Sequence, residues 1–299
     1  MASRILVLLS TYNGEKYIGE QLQSLYCQEG VEVSLLVRDD GSTDTTHTIL
    51  ESEQDAGRLA WYTGENLKPA FSFWNLLQQA GEYSYYAFCD QDDVWDKDKL
   101  KVAVDALYTA GDTPALYFCQ TRLVDASLNE IKSVKISPNL TYGEALVYHF
   151  VTGCTMVFNK AMRNILLHYT PAYIRMHDIW VYNVAQAVGA KIFFDSNPHI
   201  SYRQHGANVI GQANSVKSIW KSRIARLKKN ECIRSTIAKE LIKGYGNEMS
   251  PENRAITLLA AEYKSSFIAW MKLLFTHKLR CAPLSINLSS KFAILTRIF

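Results

Sequence analysis

Apolar runs alternate with amphipathic stretches through the first ninety residues. Ile5–Leu9 is an uninterrupted apolar run, and Val31–Val37 is apolar except for Glu32 and Ser34. Such runs are typical of strands buried on both faces and therefore of a parallel sheet. Between them, Glu15–Cys27 carries apolar residues at helical spacing. The alternation continues with a helix ending near Glu53, a strand at Leu59–Tyr62, a helix at Ala70–Ala80 and a strand at Tyr85–Cys89. This β-α-β rhythm predicts a doubly wound α/β sheet.

The pattern is looser after Asp93, and polar residues extend to about Asn139. The elements predicted there are a helix at Lys97–Thr109, a strand at Leu116–Gln120, a helix at Asp178–Val188 and strands at Lys191–Phe194 and Ile200–Arg203. Gly206–Asn214 is predicted to be a loop or linker. The chain beyond it has a helical pattern.

Charge divides the 299 residues into two parts. Residues 1–211 carry 16 Lys and Arg against 24 Asp and Glu, a balance of −8, whereas residues 212–299 carry 16 against 5, a balance of +11. We therefore predict an α/β domain at 1–211 and a basic helical extension at 212–299, the second facing an anionic surface.

The six cysteines form no C-x-x-C pair and sit mostly in apolar runs, which favours buried free thiols and a reducing compartment. The first apolar run is too short for a signal-peptide core, and no run is long enough to span a bilayer. We therefore expect a cytoplasmic protein.

Three carboxylates, Asp90, Asp92 and Asp93, directly follow the apolar run Tyr85–Cys89. Acidic groups packed this closely repel one another unless a cation neutralises them. Ligands of open α/β sheets bind at the carboxyl ends of strands, where this cluster lies. Oxygen ligands suit Mg²⁺ or Mn²⁺ shared with phosphates, although acidic clusters are more often solvated turns.

Four more polar segments follow predicted strands or open helices, and each also has an ordinary structural explanation. Residues 10–15 could bind a nucleotide at a helix N-terminus or simply cap the helix. In residues 39–44, a carboxylate could accept a hydrogen bond from a pyrimidine. Asp178 could deprotonate an acceptor hydroxyl or cap its helix. His205 could complete a metal shell, contact a diphosphate or be structural.

In this order the segments resemble the family 2 glycosyltransferases, inverting enzymes of the GT-A fold, and most closely their bacterial rhamnosyltransferase-like subgroup. The resemblance covers about residues 4–205. It rests on Leu-Leu-Ser-Thr-Tyr-Asn-Gly-Glu-Lys-Tyr-Ile (8–18), Arg-Asp-Asp-Gly-Ser-Thr-Asp (38–44), Phe-Cys-Asp-Gln-Asp-Asp-Val-Trp (88–95) and His-Asp-Ile-Trp (177–180). It implies a Rossmann-like, mostly parallel central sheet with flanking helices, followed by the basic helical extension.

The resemblance also implies roles for individual residues. Asp178 would be the catalytic base, and Asp90 and Asp92 would form the D-x-D motif that holds Mn²⁺ or Mg²⁺, with His205 as a further metal ligand. The nucleotide-sugar site would comprise Thr11, Tyr12, Asn13, Glu15, Asp40, Asp90 and Gln91. The sugar or acceptor pocket would include His177, Trp95, Gly153 and Cys154. Two departures from the family pattern are His177, where the family has Glu, and Asn66-Leu67-Lys68, where many members have Asn-x-Gly followed by Arg.

The expected reaction is inverting transfer of L-rhamnose from dTDP-β-L-rhamnose to a lipid-linked or growing cell-surface polysaccharide. The alternatives are a UDP-hexose or UDP-N-acetylhexosamine donor, or a non-catalytic nucleotide-sugar-binding scaffold of a glycan assembly complex. A dinucleotide-dependent oxidoreductase is disfavoured because no G-x-G-x-x-G follows the first strand.

The basic extension contains three apolar-and-basic stretches: Val216–Asn230, Phe267–Phe275 and Leu284–Phe299. Basic amphipathic helices with Trp and Phe are suited to an anionic membrane interface. We expect peripheral association with the inner face of the plasma membrane, the alternative being a helical subdomain packed on the catalytic domain or on a partner subunit. No nucleic-acid-binding motif accompanies the charge, and a homo-oligomer is left open.

Overall fold

The computed structural model describes residues 3–131, 135–205 and 232–299 and contains an eight-stranded sheet in the order β3-β2-β1-β4-β7-β6-β8-β5. Its strands are β1 (Ser3–Thr11), β2 (Val31–Asp39), β3 (Ala60–Thr63), β4 (Tyr85–Cys89), β5 (Val94–Trp95), β6 (Ala115–Val124), β7 (Val157–Asn159) and β8 (Lys191–Arg203).

The α-helices of the described residues are α1 (Ile18–Tyr26), α2 (Thr46–Asp55), α3 (Lys68–Gln79), α4 (Lys99–Tyr108), α5 (Tyr142–Ala145), α6 (Lys160–Leu167), α7 (His177–Ala187), α8 (Ile233–Tyr245), α9 (Pro251–Glu262), α10 (Phe267–Phe275) and α11 (Leu284–Leu295). A short 3₁₀ helix spans Gly153–Thr155.

The strand pairing confirms the predicted mostly parallel sheet. β1 pairs in parallel with β2 and β4, β2 with β3, and β6 with β8. Only the short strands β5 and β7 of the described sheet run antiparallel to their neighbours. The carboxyl ends of β1, β2 and β4 therefore open onto one edge of the sheet, which is where open α/β sheets bind ligands.

Both faces of the sheet are buried, as the continuous apolar strands predict. In β1, Leu6 and Leu8 point into one layer, and Ile5, Val7 and Leu9 point into the other. The second layer holds α1, α2 and α4, whereas the first holds α3, α6, α7 and the apolar residues of α8 to α11. The C-terminal helices therefore share a core with the sheet.

Several elements differ from the sequence prediction, among them the short β5 and α5, which were not predicted. The two strands predicted at Lys191–Phe194 and Ile200–Arg203 form one strand, β8, whose pairing with β6 shifts register between Cys119 and Arg122. The three-residue strand β7 and the helix α6 that follows it directly were not predicted. The Asn159 side chain caps α6 by accepting from the Met162 N–H, so no loop signal separates strand from helix.

The C-terminal helices dock on the sheet domain through α5 and α7. Tyr142 and Thr257 share a buried hydrogen bond of 2.5 Å, and a Glu144 carboxylate oxygen accepts from the Ala282 N–H. Asn253 donates to the last carbonyls of α7, at Gln186 and Ala187. The extension thus contributes to the packing around the helix that begins with His177.

Some predictions lie outside the described residues. These are the boundary between 211 and 212, the loop at Gly206–Asn214 and the amphipathic stretch Val216–Asn230. The helix expected at Phe267–Phe275 is present as α10, and Leu284–Leu295 forms α11. No helix among the described residues has the length and apolarity that crossing a membrane requires.

Candidate active site

Gln91 joins the loop after β1 to the loop after β4, residues 90–93, which we call the acidic loop. Its carbonyl oxygen accepts from the Thr11 hydroxyl at 2.6 Å and from the Tyr12 N–H at 2.8 Å, and its amide donates to the Tyr12 carbonyl at 3.2 Å. Thr11 is buried, but the Tyr12 ring is 48% exposed at the sheet edge. The Tyr12 ring is therefore free to stack on a planar ligand.

Asn13 and Glu15 tie the loop after β1 to the loop after β2. Asn13, with a positive φ of 49°, donates its N–H to Ser42 and accepts from the Thr43 N–H through its side chain. Glu15 accepts from both the N–H and the hydroxyl of Thr45. Their side chains are thus already used to fix the loops.

The two carboxylates after β2 have different environments. Asp39 is fully buried and accepts hydrogen bonds from Gly41, Ser42, His47 and Thr63. These hydrogen bonds outweigh the opposing desolvation, which is the largest single influence, and lower its pKa. Asp40 is 3% exposed and contacts the Arg38 guanidinium. Asp39 therefore organises the turn, and Asp40 lies beside it as half of an ion pair.

The acidic loop after β4 brings three ionisable side chains together. One ligand atom from each of Asp90, Asp93 and Cys154 lies within 4.8 Å of the others. Burial, and then repulsion from Asp93 and Asp92, raise the pKa of Asp90 well above its usual value. Burial and the charge of Asp92 raise the pKa of Asp93 to about 7. A buried concentration of negative charge like this attracts a cation.

The third carboxylate, Asp92, faces the end of β8. Its Oδ2 lies 2.7 Å from Nε2 of His205, whose ring packs 4.9 Å from that of Tyr17. Arg203 is 2% exposed and fixes the acidic loop by donating its side chain to the Asp92 carbonyl and its N–H to Asp93. The strand predicted at Ile200–Arg203 therefore brings His205 to Asp92.

Trp95 packs in the core and is 3% exposed. The Lys99 ammonium, fully buried, lies 3.2 Å from the centre of the Trp95 ring and has no hydrogen-bond partner in the described part of the chain. Burial lowers the pKa of Lys99, whereas nearby Cys119, Cys154, Cys89 and Asp93 oppose that change. Trp95 thus supports a buried cation beneath the acidic loop and does not line an open pocket.

Asp178 lies in the first turn of α7 and is 7% exposed. The residue that caps α7 is Met176, so capping does not explain Asp178. Burial raises the pKa of Asp178 to about 6, against opposing backbone hydrogen bonds from Ile179 and Gly153. The negative charge of Asp178 also contributes to the raised pKa of Asp90. A carboxylate with this pKa is ionised at neutral pH and can accept a proton.

His177 lies behind Asp178 and is 5% exposed. Its ring packs 3.9 Å from that of Phe73 and 5.1 Å from that of Phe88, and burial lowers its pKa to about 3. A Cβ atom on Gly153 would lie 2.1 Å from His177 Nε2. The neutral imidazole therefore sits directly against the 3₁₀ helix of Gly153 and Cys154, which is why residue 153 must be glycine here.

The donor set fits a hard divalent cation. Asp90, Asp92 and Asp93 offer carboxylate oxygens, and Oδ2 of Asp93 is buried without a hydrogen-bond partner among the described residues. Oxygen ligands are those that Mg²⁺ and Mn²⁺ prefer. The thiol of Cys154 is a softer neighbour, and burial raises its pKa, which favours its neutral form.

The structure brings together most of the predicted site residues. Thr11, Tyr12 and Gln91 meet Asp90, Asp92 and His205 at one edge, with Asp178, Gly153 and Cys154 beside the acidic loop. Sequence reasoning missed Arg203, Lys99 and the structural role of Asp39. A signal existed for Arg203, because it lies two residues before His205 in a strand-end segment. The sequence contains no such signal for Lys99, because a lysine in an amphipathic helix is ordinarily exposed to solvent.

A parallel sheet edge with an acidic loop and a buried carboxylate beside it fits a nucleotide-sugar transferase of the GT-A fold. Residues 6–166, more than half of the chain, match the model of "Glycosyl transferase family 2". The chain belongs to this family of enzymes.

Curated relatives include two bacterial sugar transferases. The dTDP-rhamnosyl transferase RfbG of Shigella flexneri is 29% identical over 71% of this chain and 77% of its own length. The UDP-Glc:alpha-D-GlcNAc-diphosphoundecaprenol beta-1,3-glucosyltransferase WfaP of Escherichia coli is 24% identical over 72% of this chain and 86% of its own.

Similar solved structures support the fold. Residues 1–349 of S. aureus TarS, in complex with UDP-GlcNAc, superpose with a TM-score of 0.57 at 17% identity, covering 99% of this chain and 89% of that one. The Pyrobaculum calidifontis mannosyltransferase PcManGT, in complex with GDP-Man and Mn²⁺, has a TM-score of 0.52 at 16% identity and covers 100% and 81% of the two chains. The predicted GT-A fold with a C-terminal helical region is confirmed.

Proposed function

We propose that the protein is a metal-dependent inverting rhamnosyltransferase that uses dTDP-β-L-rhamnose. The observation that carries this proposal is the position of Asp178, a buried carboxylate with a pKa of about 6 beside the acidic loop. A base opposite a cation-binding loop is what a single displacement at a sugar carbon requires. Rhamnose is the leading donor because RfbG, at 29% identity, is named a dTDP-rhamnosyl transferase.

The reaction is one displacement. Asp178 takes the proton of an acceptor hydroxyl while that oxygen bonds to the anomeric carbon of the donor. The bond between this carbon and the diphosphate oxygen breaks, and its electron pair leaves with the nucleoside diphosphate. Because attack and departure occur on opposite faces, a β-linked rhamnose becomes an α-rhamnoside, through an oxocarbenium-like transition state.

Asp90, Asp92 and His205 are the proposed ligands of Mn²⁺ or Mg²⁺; His205 lies 2.7 Å from Asp92, and Asp93, which clusters with Asp90, is a further carboxylate at the site. A bound divalent cation would offset the negative charge that develops on the departing diphosphate. Arg203 and Gln91 hold the acidic loop in place from both sides through hydrogen bonds to its backbone and to the loop after β1. Tyr12, exposed at the same edge, and Asp40 are the proposed nucleobase contacts.

A UDP-linked hexose or N-acetylhexosamine is the second candidate donor. WfaP is named for UDP-glucose, and the similar TarS structure contains UDP-GlcNAc. The base and acidic loop would serve either donor, because the diphosphate and the anomeric carbon are common to both. The nucleobase and the sugar pocket would distinguish them.

The proposed acceptor is a lipid-linked or growing cell-surface glycan, and WfaP is named for a diphosphoundecaprenol-linked acceptor. The enzyme would work at the cytoplasmic face of the plasma membrane, where a nucleotide sugar and a lipid-linked glycan meet. The third candidate, a non-catalytic scaffold, would have no need for a buried base with a raised pKa.

Thermal unfolding of the purified chain with nucleoside diphosphates and sugar donors, each with and without Mn²⁺, tests the donor. We expect a metal-dependent rise in Tm selective for dTDP and dTDP-rhamnose, because ligands that bind only the folded state stabilise it. Asp92→Ala should abolish the metal-dependent part of the rise. Asp112→Asn is a matched control, since Asp112 is exposed and outside the site.

Each outcome has a separate meaning. A rise in Tm selective for UDP species would mean that the donor is a UDP-sugar and not dTDP-rhamnose, while the protein would still be a transferase. Equal shifts with and without metal would contradict the role of the acidic loop. No shift with any nucleotide would contradict the donor site and favour the scaffold.

A further inference from the structure

Two neighbouring helices of the C-terminal region carry most of the exposed apolar side chains of the described residues. Eleven large hydrophobic side chains are exposed among all the described residues, and seven of them lie on α10 and α11: Phe267, Ile268, Phe275, Leu284, Leu288, Phe292 and Leu295. Single exposed apolar residues are ordinary, but a concentration of this kind marks an interaction surface.

The exposed residues form a stripe on each helix. At 100° per residue, Phe267, Ile268 and Phe275 fall within one third of the circumference of α10. The opposite side of α10 is already packed in the core, with Ala269 and Leu273 buried. The exposed apolar face is therefore additional to the face that the fold needs.

In α11, Leu284, Leu288, Phe292 and Leu295 form a similar stripe. The opposite side, which includes Ala293 and Ile294, is buried. Each helix is thus apolar on two sides.

The two stripes lie side by side because the helices pack antiparallel. The Trp270 indole donates to the Ile294 carbonyl at 2.9 Å, and the Lys291 ammonium donates to the Thr276 carbonyl at 3.0 Å. These bonds join the start of α10 to the end of α11 and the end of α10 to the middle of α11. We call the combined exposed surface the α10–α11 face.

The charge around this face is mostly positive, although Glu252 of α9 forms an ion pair with Lys278 at 2.8 Å. Residues 263–299 contain six Lys and Arg and no Asp or Glu. Lys272, Arg280 and Arg297 are exposed. An apolar surface with basic residues around it is complementary to a bilayer with anionic headgroups, whose interface accepts Phe and Leu below the headgroups and Lys and Arg among them.

We infer that the α10–α11 face is a docking surface that seats the protein on an anionic lipid bilayer. This inference rests on the proposed function, which requires access to a lipid-linked acceptor, and it assigns that access to particular residues. A second copy of the chain is the competing occupant. In a two-fold dimer the face would meet itself and bring the exposed basic residues of both copies together, so the lipid surface is favoured.

Vesicle sedimentation with the full chain tests the inference. The probes are vesicles of phosphatidylcholine alone and of phosphatidylcholine with about one third phosphatidylglycerol, an anionic fraction large enough to attract basic residues. We expect binding to the mixed vesicles that weakens with added salt, and much weaker binding to the neutral ones.

The variant Ile268→Glu/Leu288→Glu places two acidic groups on the face and should weaken vesicle binding at least tenfold. Both positions are exposed, at 65% and 64%, so the fold should tolerate the change. Tyr108→Glu is the matched control, because Tyr108 is 76% exposed on α4, in the other helical layer. It should leave vesicle binding unchanged.

Equal vesicle binding by the wild type and the double variant would overturn the inference. Absence of vesicle binding, together with an oligomer in solution that the double variant dissociates, would assign the face to a second copy. The nucleotide- and Mn²⁺-dependent rise in Tm serves as a separate measurement. If that rise is absent while vesicle binding follows the prediction, the donor site fails and the docking surface stands.

Discussion

At the scale of single residues, His177 shows how much the packing of one side chain adds to what the sequence indicates. Its neighbour Asp178 is a candidate base, and a polar residue beside it invites a role in sugar or acceptor binding. The structure places its ring between Phe73 and Phe88, with neither nitrogen hydrogen-bonded among the described residues. We therefore regard His177 as a packing residue that positions the first turn of α7 against Gly153.

The buried imidazole should make stability depend on pH. The folded pKa of His177 is about 3, lowered by burial from 6.5, so between these values the unfolded chain binds a proton that the folded chain does not. Its contribution to stability is therefore lost as pH falls below 6.5. The expected loss from this residue between pH 7.5 and 5.5 is about 1 kcal/mol.

Urea unfolding of the wild type and of His177→Leu at both pH values measures this loss. The difference in unfolding free energy between the two proteins should change by that amount in favour of the variant at pH 5.5. His277→Leu, at an exposed histidine, is the control. A difference that stays constant between the two pH values would contradict a neutral, buried His177.

The residue types at the strand ends could be predicted, but their partners could not. The family motifs identify Asp90, Asp92 and Asp178 as site residues. Asn13 and Glu15 belong to the same motifs, yet their side chains bind Thr43 and Thr45 in the next loop. A sequence gives the hydrogen-bonding capacity of a side chain and leaves the choice of partner to the folded chain.

At the scale of elements, the hydrophobic periodicity and the length of each strand decided whether it could be predicted. The strands β1 and β4 contain continuous apolar runs, and the predicted strand Val31–Val37 in β2 is apolar except for Glu32 and Ser34; their existence and parallel pairing followed from that pattern. The short strands β5 and β7 gave no signal, because two or three residues establish no period. β7 nevertheless joins β4 to β6, and β5 pairs with β8 at the edge of the sheet, close to the end of the strand that leads to His205.

The contact between α5 and the segment after α10 is an element-scale feature that we expect to be sensitive. A Cβ atom on Gly143 would lie 1.8 Å from the Lys278 carbonyl oxygen. Backbone cannot yield as a flexible side chain does, so Gly143→Ala should separate the C-terminal helices from α5. The expected destabilisation is about 2 kcal/mol, as for other overpacked core positions.

Chemical denaturation of Gly143→Ala measures this effect. Gly19→Ala is the matched control, because a Cβ atom there would meet no atom within 4 Å and Gly19 lies inside α1. The control should be neutral or slightly stabilising. If Gly143→Ala were as stable as the control, the helical extension would not be held through α5.

At the scale of the whole molecule, the charge asymmetry predicted two functional parts, and the structure joins them through a shared core. Tyr245 in α8 donates to the Leu166 carbonyl, and the Trp180 ring of α7 packs 6.0 Å from the Tyr245 ring. The helix that begins with His177 and Asp178 is therefore supported by the C-terminal region. The sequence predicted a basic extension, but only the folded chain reveals that its apolar residues face both the core and the surroundings.

The central claim is that Asp178 is the base of a sugar transfer. The most direct test is Asp178→Asn, which keeps the shape of the side chain and removes its basicity. Donor turnover is followed as nucleoside-diphosphate release with a lipid-linked glycan acceptor, and donor affinity is measured separately by the rise in Tm. We predict that turnover falls by about a thousandfold while donor binding is preserved. Turnover equal to that of the wild type would contradict the claim.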